Sequence, residues 1–343
     1  MTITSHSSLT THPPAKLNLF LELISKRADG FHEIDTVMIP IDWCDKLSLS
    51  LSNGNAIELT VQMPEKSRAA AAQPADAELE RVREENHQNP TSAAEDIPCD
   101  HRNLVYRALA QFKDRFEISS GFHCHLTKSI PAGAGLGGAS SDAASALRLA
   151  AKLHKIAPTR PEMREIAASL GSDIPFFLGC PGKQTQDETR TTNAYRAARG
   201  TGRGEVIERV ECPAIIDFVV IFPGIGLSTP AVYSASSVPS KRQESRPILQ
   251  ALRSGERDQI ARLLVNRLQA PAKKLASGVL VALESLQHAG LLGSQMTGSG
   301  SACFGIAENQ EQARSCAESL REQLGPRFII QAARSTEVPG MMY

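Results

Sequence analysis

"TKSIPAGAGLGGASSDAASALRLA", residues 127–150, is the stretch on which the fold turns. Gly133, Gly135 and Gly138 in it satisfy the spacing G-x-G-x-x-G, the lettering of a dinucleotide-binding loop. Glycines at 133, 135, 137 and 138 let the backbone take positive φ and bring its N–H groups close to an anion, with no Cβ in the way. The loop lies between a strand pattern and a helix whose start carries Ser140, Ser141 and Asp142. A helix N-terminus adds about half a positive charge and free N–H donors, so the arrangement is an anion cradle. The local alternative is a tight turn with a serine cap.

Three phosphate loops compete for this lettering. A Walker A loop needs Lys before its Ser or Thr, whereas Ala139 precedes Ser140. A Rossmann unit needs a second parallel strand after the helix, with an acid about 20 residues past the glycines. Here the helix ending near His154 runs on to another helical pattern, and Glu162 and Glu165 lie inside it. The third option is a loop in which a compact triphosphate lies over the helix N-terminus.

The totals frame that reading. A chain of 343 residues is too long for one ordinary core, and roughly two domains of 100–200 residues are expected. Lys plus Arg (37) equals Asp plus Glu (37), so no global field attracts nucleic acid or an anionic membrane. Anion binding must be local. The start "MTITSHSSLTTHPPAK" lacks the basic and apolar regions of a signal peptide, and no apolar run approaches 18 residues, so a cytoplasmic protein is expected. The seven cysteines are widely spread, without C-x-x-C, and read as reduced packing residues. In "GFHCHLT", Phe122, Cys124 and Leu126 alternate with His123, His125 and Thr127, so a half-buried strand accounts for the histidines without a metal.

Along the chain, "AKLNLFLELIS" (15–25) is a strand with one polar-mixed face; "KRADG" is a turn, and "FHEIDTVMIPID" and "DKLSLSL" are further strands. Residues 62–100 contain no aromatic and few branched side chains, and are expected to form a surface insertion with one short helix near Ala77–Glu85. Residues 183–202 are expected to be a second insertion outside the cores. After 204 the pattern restarts with the strand "IIDFVVIFP", helices over about 247–289, the strands "LLGSQMTG" and "SACFGIA", a helix from Asn309, and the strand "RFIIQAA". Because strands and helices do not alternate as βαβ units, two α+β domains are expected, with a flexible tail over 1–12, an N-terminal domain over 13–204 and a C-terminal domain over 205–343.

If the loop holds a triphosphate, transfer of its terminal phosphoryl group needs charge compensation, an in-line acceptor and a proton acceptor. Lys16 and Asn18 share a strand face about 7 Å apart, so a cation and an amide can address one substrate; equally, Lys16 can be an edge charge kept in solvent. Asp173 in "GSDIPFFLG" is either a turn former or an acid–base group. Phe31 and His32 in "DGFHEI" can stack on and hydrogen-bond a pyrimidine, or merely pack under a hairpin. "TGSGS" (297–301) is sufficiently explained as a hairpin turn, and Thr229–Pro230 as a helix start.

"PAGAGLGGASSDAA" resembles the phosphate loop of the GHMP small-molecule kinases. Together with "PAKLNLFLEL", "KRADGFHEIDTVM", "GSDIPFFLG" and "MTGSGSACFG", it is similar within them to the 4-diphosphocytidyl-2-C-methyl-D-erythritol kinases of non-mevalonate isoprenoid synthesis. The likeness spans most of 13–343. It implies a ribosomal-protein-S5-domain-2-like N-terminal domain and a ferredoxin-like C-terminal domain, with the active site in the cleft between them. It further implies a phosphotransferase that uses ATP and Mg²⁺ to phosphorylate the 2-hydroxyl of a cytidine-diphosphate-linked methylerythritol, as monomer or homodimer, without nucleic acid or membrane partners. By the same resemblance Lys16 and Asp173 are catalytic, Asp173 being the general base. Pro131, Ala132, Gly133, Ala134, Gly135, Leu136, Gly137, Gly138, Ala139, Ser140 and Ser141 hold the ATP phosphates, while Asn103, Leu104 and Lys128 serve its adenine end. Asn18, Phe31, His32, Thr229 and Pro230 face the other substrate, with Phe31 standing where many members carry Tyr; "TGSGS" closes the cleft. Ser140 or Ser141 are candidate Mg²⁺ ligands, and neither is singled out. The competing readings are a homoserine or mevalonate type of kinase, which "DGFHEI" after "PAKLNL" disfavours, and a non-catalytic nucleotide-binding sensor, which the presence of both Lys16 and Asp173 disfavours.

Overall fold

The structure, a computed structural model, describes residues 8–63, 97–157, 160–179 and 194–338. Its frame is a long antiparallel hairpin of β2 (Pro14–Lys26) and β3 (His32–Cys44), which follow a short β1 (Leu9–Thr11). The turn between them closes where Arg27 N–H donates to the Phe31 carbonyl at 2.8 Å and Gly30 takes φ +85°, a conformation that favours glycine. Pairing slips by one residue between Asn18 and Phe20. Such bulges re-aim side chains, and this one lies two residues beyond Lys16.

β4 (Lys46–Ser52), β5 (Ile57–Gln62), α1 (Leu104–Arg115) and β6 (Gly121–Thr127) come next, then α2 (Gly138–Leu153), α3 (Pro161–Leu170) and α4 (Ile174–Leu178). A four-stranded sheet has the order β1-β4-β6-β5. In β6 the expected alternation holds, with Phe122, Cys124 and Leu126 buried and His123 and His125 exposed. α3 stands where a dinucleotide fold would need its second strand.

β7 (Ala197–Thr201) and β8 (Val206–Val210) complete a second sheet, ordered β10-β2-β3-β7-β8, in which β10 (Val265–Asn266) runs parallel to β2. The structure departs from three expectations. Residues 197–201 are no surface insertion: they pair with Thr36–Met38 of β3, and Ala197 and Ala198 are fully buried. Their small side chains carry no hydrophobic periodicity, which is why the strand was hidden among polar neighbours. β8 lies beyond residue 204 yet belongs to the N-terminal sheet, and β10 brings the C-terminal half into it as well. Residues 9–11 of the expected tail form β1, paired with Leu47–Leu49. The helix expected near Ala77–Glu85 lies outside the described residues.

The C-terminal unit contains β9 (Asp217–Phe222), α5 (Thr229–Ser234), α6 (Arg246–Ser254), α7 (Arg257–Arg262), α8 (Gln269–Leu275), α9 (Ser277–His288), β11 (Gly293–Met296), β12 (Cys303–Ala307), α10 (Gln310–Leu324) and β13 (Ile329–Arg334). Its antiparallel sheet has the order β11-β12-β9-β13, with β9 buried along its whole length, and α9 and α10 packed with it. This strand order with its two helices is the ferredoxin-like arrangement the resemblance implied. A second core runs from β2 and β3 through Ala134 and Leu136 of the glycine loop to Phe218 and Phe304. The loop therefore lies on the seam between the two units, held from both sides by apolar burial.

Candidate active site

The glycine loop is fixed through its carbonyls. Those of Gly133, Ala134 and Leu136 accept from Leu227 N–H (3.2 Å), Ala302 N–H (3.0 Å) and Lys16 N–H (2.9 Å), and that of Gly135 from Lys16 Nζ (2.8 Å). The amides of 133–137 donate to no described residue. Gly135 and Gly137 both sit in the left-handed region; a Cβ at Gly135 would lie 2.3 Å from the Thr297 carbonyl, and one at Gly137 would lie 3.1 Å from the Lys16 stem. Gly137 is also the N-cap of α2, so Ser140 and Ser141 are not its caps: they occupy the third and fourth positions of the helix. A left-handed glycine satisfies the entry geometry without a side chain, which leaves the Ser141 hydroxyl buried and unpartnered. Free amides, a helix N-terminus and no side-chain cap make a site that fits phosphate.

Lys16 and Asn18 come together as expected, but as buried groups rather than as an edge charge in solvent. Lys16 Nζ donates to Asn18 Oδ1 at 2.6 Å and stands 3.5 Å from Asp173 Oδ2. Asn18 is held from every side: its side-chain amide donates to Thr36 Oγ1 (2.8 Å), its backbone N–H donates to Thr297 Oγ1 (3.0 Å), and its carbonyl accepts from Gln295 Nε2 (2.7 Å). Asp173 is the residue before α4, and Pro175 follows inside the helix. Its carboxylate keeps 33% of its surface exposed while Lys16 keeps 3%, so the pair opens outward through the aspartate. A cation sealed below and a carboxylate reachable from above can accept a proton and compensate the charge that follows.

Thr36, Thr297 and Gln295 were not singled out from the sequence. The motif "TGSGS" marked the neighbourhood of Thr297, whereas Thr36 and Gln295 carry no local signal. The TGSGS loop is pinned by Asn266 Nδ2, which donates to the carbonyls of Met296 (2.7 Å) and Gly298 (2.9 Å). Thr229 Oγ1 and Ser299 Oγ share a hydrogen bond of 2.8 Å, joining α5 to the same loop, and Thr229 and Pro230 are exposed.

Two residues expected at the adenine end are engaged elsewhere. Asn103 caps α1, with Oδ1 accepting from Val105 N–H (2.9 Å) and Nδ2 donating to the Pro98 carbonyl (2.7 Å). Lys128 is buried and bonded to both Asp45 and Asp142, the latter at 2.7 Å. Asp45 Oδ1 also accepts from Ile130 N–H at 2.8 Å, tying β3–β4 to the strand that enters the loop. Burial pushes the Asp142 carboxyl up to about 7, with Lys128 drawing it down and Asp45 pushing it further up. Leu104 packs partly buried against the N-terminal core.

Phe31 and His32 lie at the far end of the β2–β3 hairpin. His32 stacks on Tyr233 of α5 with ring centroids 5.3 Å apart. Burial, helped by the charge of Lys26, lowers the His32 pKa, which favours the neutral ring with its one donor and one acceptor. Burial raises the pKa of Tyr233, and the nearby charge of Asp173 adds to that. Tyr233, five positions from Ser228 on a short helix, carries no local sequence signal of its contact with His32. Among the described residues no group of three or more His, Cys, Asp or Glu side chains is placed to hold a metal, and no helix is long and apolar enough to cross a membrane.

The comparisons with known proteins agree with this layout. The GHMP kinases N terminal domain matches residues 103–179, and GHMP kinases C terminal matches 248–325. The chain is similar to a 4-diphosphocytidyl-2-C-methyl-D-erythritol kinase of Rhodopirellula baltica, 40% identical with 97% of each chain covered. A protein of the same name from Prosthecochloris aestuarii is 31% identical, with 94% of this chain and 96% of that one covered. Among solved structures, a 4-(cytidine 5'-diphospho)-2C-methyl-D-erythritol kinase aligns with a TM-score of 0.66 and 29% identity, covering 96% of this chain and all of that one. A homoserine kinase from Cytophaga hutchinsonii reaches the same TM-score at 16% identity, a likeness of fold alone.

Proposed function

The chain belongs to the 4-diphosphocytidyl-2-C-methyl-D-erythritol kinases of the GHMP kinase fold, and on that premise we propose that it transfers the γ-phosphoryl group of ATP to the 2-hydroxyl of that substrate. The observation that carries the mechanism is the Lys16–Asp173 pair, 3.5 Å apart, beside a glycine loop whose amides are free. Asp173 accepts the hydroxyl proton as the substrate oxygen bonds to the γ-phosphorus, and the bond from that phosphorus to the bridging oxygen breaks to release ADP. Lys16 neutralises charge on the attacking oxygen and holds Asp173 in place. The amides of 133–137 and the start of α2 receive the phosphate oxygens. His32, Phe31 and Asn18 orient the acceptor, with Thr229 and Pro230 from the other unit.

Mg²⁺ would neutralise charge between the β- and γ-phosphates. Ser140, partly exposed in the first turn of α2, is the hydroxyl available to it, while Ser141 is buried. A hard, well-hydrated cation needs few protein ligands, in keeping with the lack of a carboxylate cluster among the described residues. We place the reaction in the cytoplasm, with small molecules as its partners.

The test is ADP release with ATP and Mg²⁺ against the cytidyl substrate, homoserine, mevalonate and galactose. Turnover with the cytidyl substrate alone is expected. Turnover with another acceptor would overturn the substrate assignment, and turnover with none would favour the sensor.

A further inference from the structure

Phe31 is the most exposed aromatic ring near the site, at 52%, and it belongs to none of the three apolar cores. A ring left so bare is not fixed by packing, yet one of its faces is covered: the Arg203 guanidinium carbon lies 5.0 Å from its centroid. Arg203 is itself anchored. Its N–H donates to Glu205 Oε2 at 2.6 Å, its Nη2 donates to the Ala168 carbonyl at 3.3 Å, and its Nε stands 3.6 Å from Glu205 Oε1. Gly202 and Gly204, both at positive φ, shape the turn that carries it, and the Gly202 carbonyl accepts from Ile34 N–H at 2.8 Å, three residues beyond Phe31. The guanidinium is thus held through Glu205 and the Ala168 carbonyl while its carbon lies over the ring.

We propose that Arg203 is a positioning residue for substrate specificity: it backs one face of Phe31 and holds the ring plane so that the opposite face is open to stack a flat heterocyclic base. The phenylalanine has no hydroxyl with which to fix its own orientation, so the cation over the ring supplies what packing does not. His32 beside it is backed in the same way by Tyr233, which gives the stacking face and the hydrogen-bonding edge one fixed relation. This inference rests on Phe31 and His32 forming the base pocket.

Steady-state kinetics on Arg203→Ala, Phe31→Ala and the double variant test it. A cation over an exposed ring corresponds to a change of about two- to fivefold in affinity. Arg203→Ala is expected to raise KM for the cytidyl substrate by that factor, with kcat and KM for ATP changed less than twofold. Arg203→Lys, which keeps a cation, recovers part of the loss, and in the Phe31→Ala background Arg203→Ala adds less than twofold. If Phe31→Ala leaves KM unchanged, the base-pocket reading fails. If Phe31→Ala raises KM but Arg203→Ala does not, or adds its full effect without the ring, the role of Arg203 is overturned. Should Arg203→Ala not fold, Arg203→Gln, planar but uncharged, replaces it with the same expected outcomes.

Discussion

Two lysines approach the same glycine loop from different sides, and each is bonded to aspartate. Lys16 meets one carboxylate, Asp173, at 3.5 Å, and that carboxylate is one-third exposed. Lys128 meets two, Asp45 and Asp142, and all three side chains are at most 5% exposed. The residue types are the same, but the first pair is open at the carboxylate while the second cluster is closed on all sides. An open carboxylate beside a sealed cation can exchange a proton with a bound alcohol. A closed cluster can only hold backbone in place, as Asp45 does by accepting the Ile130 N–H. On the proposed mechanism, chemistry and positioning are divided between the two lysines.

Removing one partner from each cluster separates the two roles. Lys128→Met leaves the buried Asp45 and Asp142 carboxyls without their cation, and the expected loss in unfolding free energy by urea denaturation is about 3–5 kcal/mol. A loss below about 1 kcal/mol would show that the closed cluster does not hold the fold.

A smaller effect is expected from pH. In the fold Asp142 titrates at about 7, with burial as the leading cause. An ordinary aspartate titrates near about 3.9, so between these values the folded chain keeps a proton that the unfolded chain has released. The stability contributed by this group is complete below about pH 4 and is lost as pH rises through the folded value. Asp142→Asn is permanently neutral, so its stability relative to the parent chain should rise steadily from pH 4 to 7. A pH-independent difference would mean that the carboxyl is not held neutral.

The open site was more legible in sequence than the closed one. Gly133–Gly138, Lys16, Asn18 and Asp173 lie in compact motifs whose residue types have few other uses together, and the structure brings them to one place. Lys128 and Asn103 carry partners that nearness in sequence does not announce, because it does not say on which side of a loop a side chain falls. Lys128 turns beneath α2, and Asn103 turns back to cap its own helix. Ser140 and Ser141 looked like caps until a left-handed Gly137 took that position. β7 was hidden because alanines carry no periodicity, and β10 because a two-residue strand has none to show. Tyr233 and Arg203 are about 200 and 170 residues from the rings they contact, a range at which only tertiary structure can make the pairing.

Asp173 is proposed as the proton acceptor in the open pair. Asp173→Asn keeps the shape and removes the basicity, and its kcat with ATP, Mg²⁺ and the cytidyl substrate is the measurement that bears on it most directly. A fall of at least about 100-fold in kcat is expected, with the Kd for ATP changed less than about threefold. An unchanged kcat would contradict it.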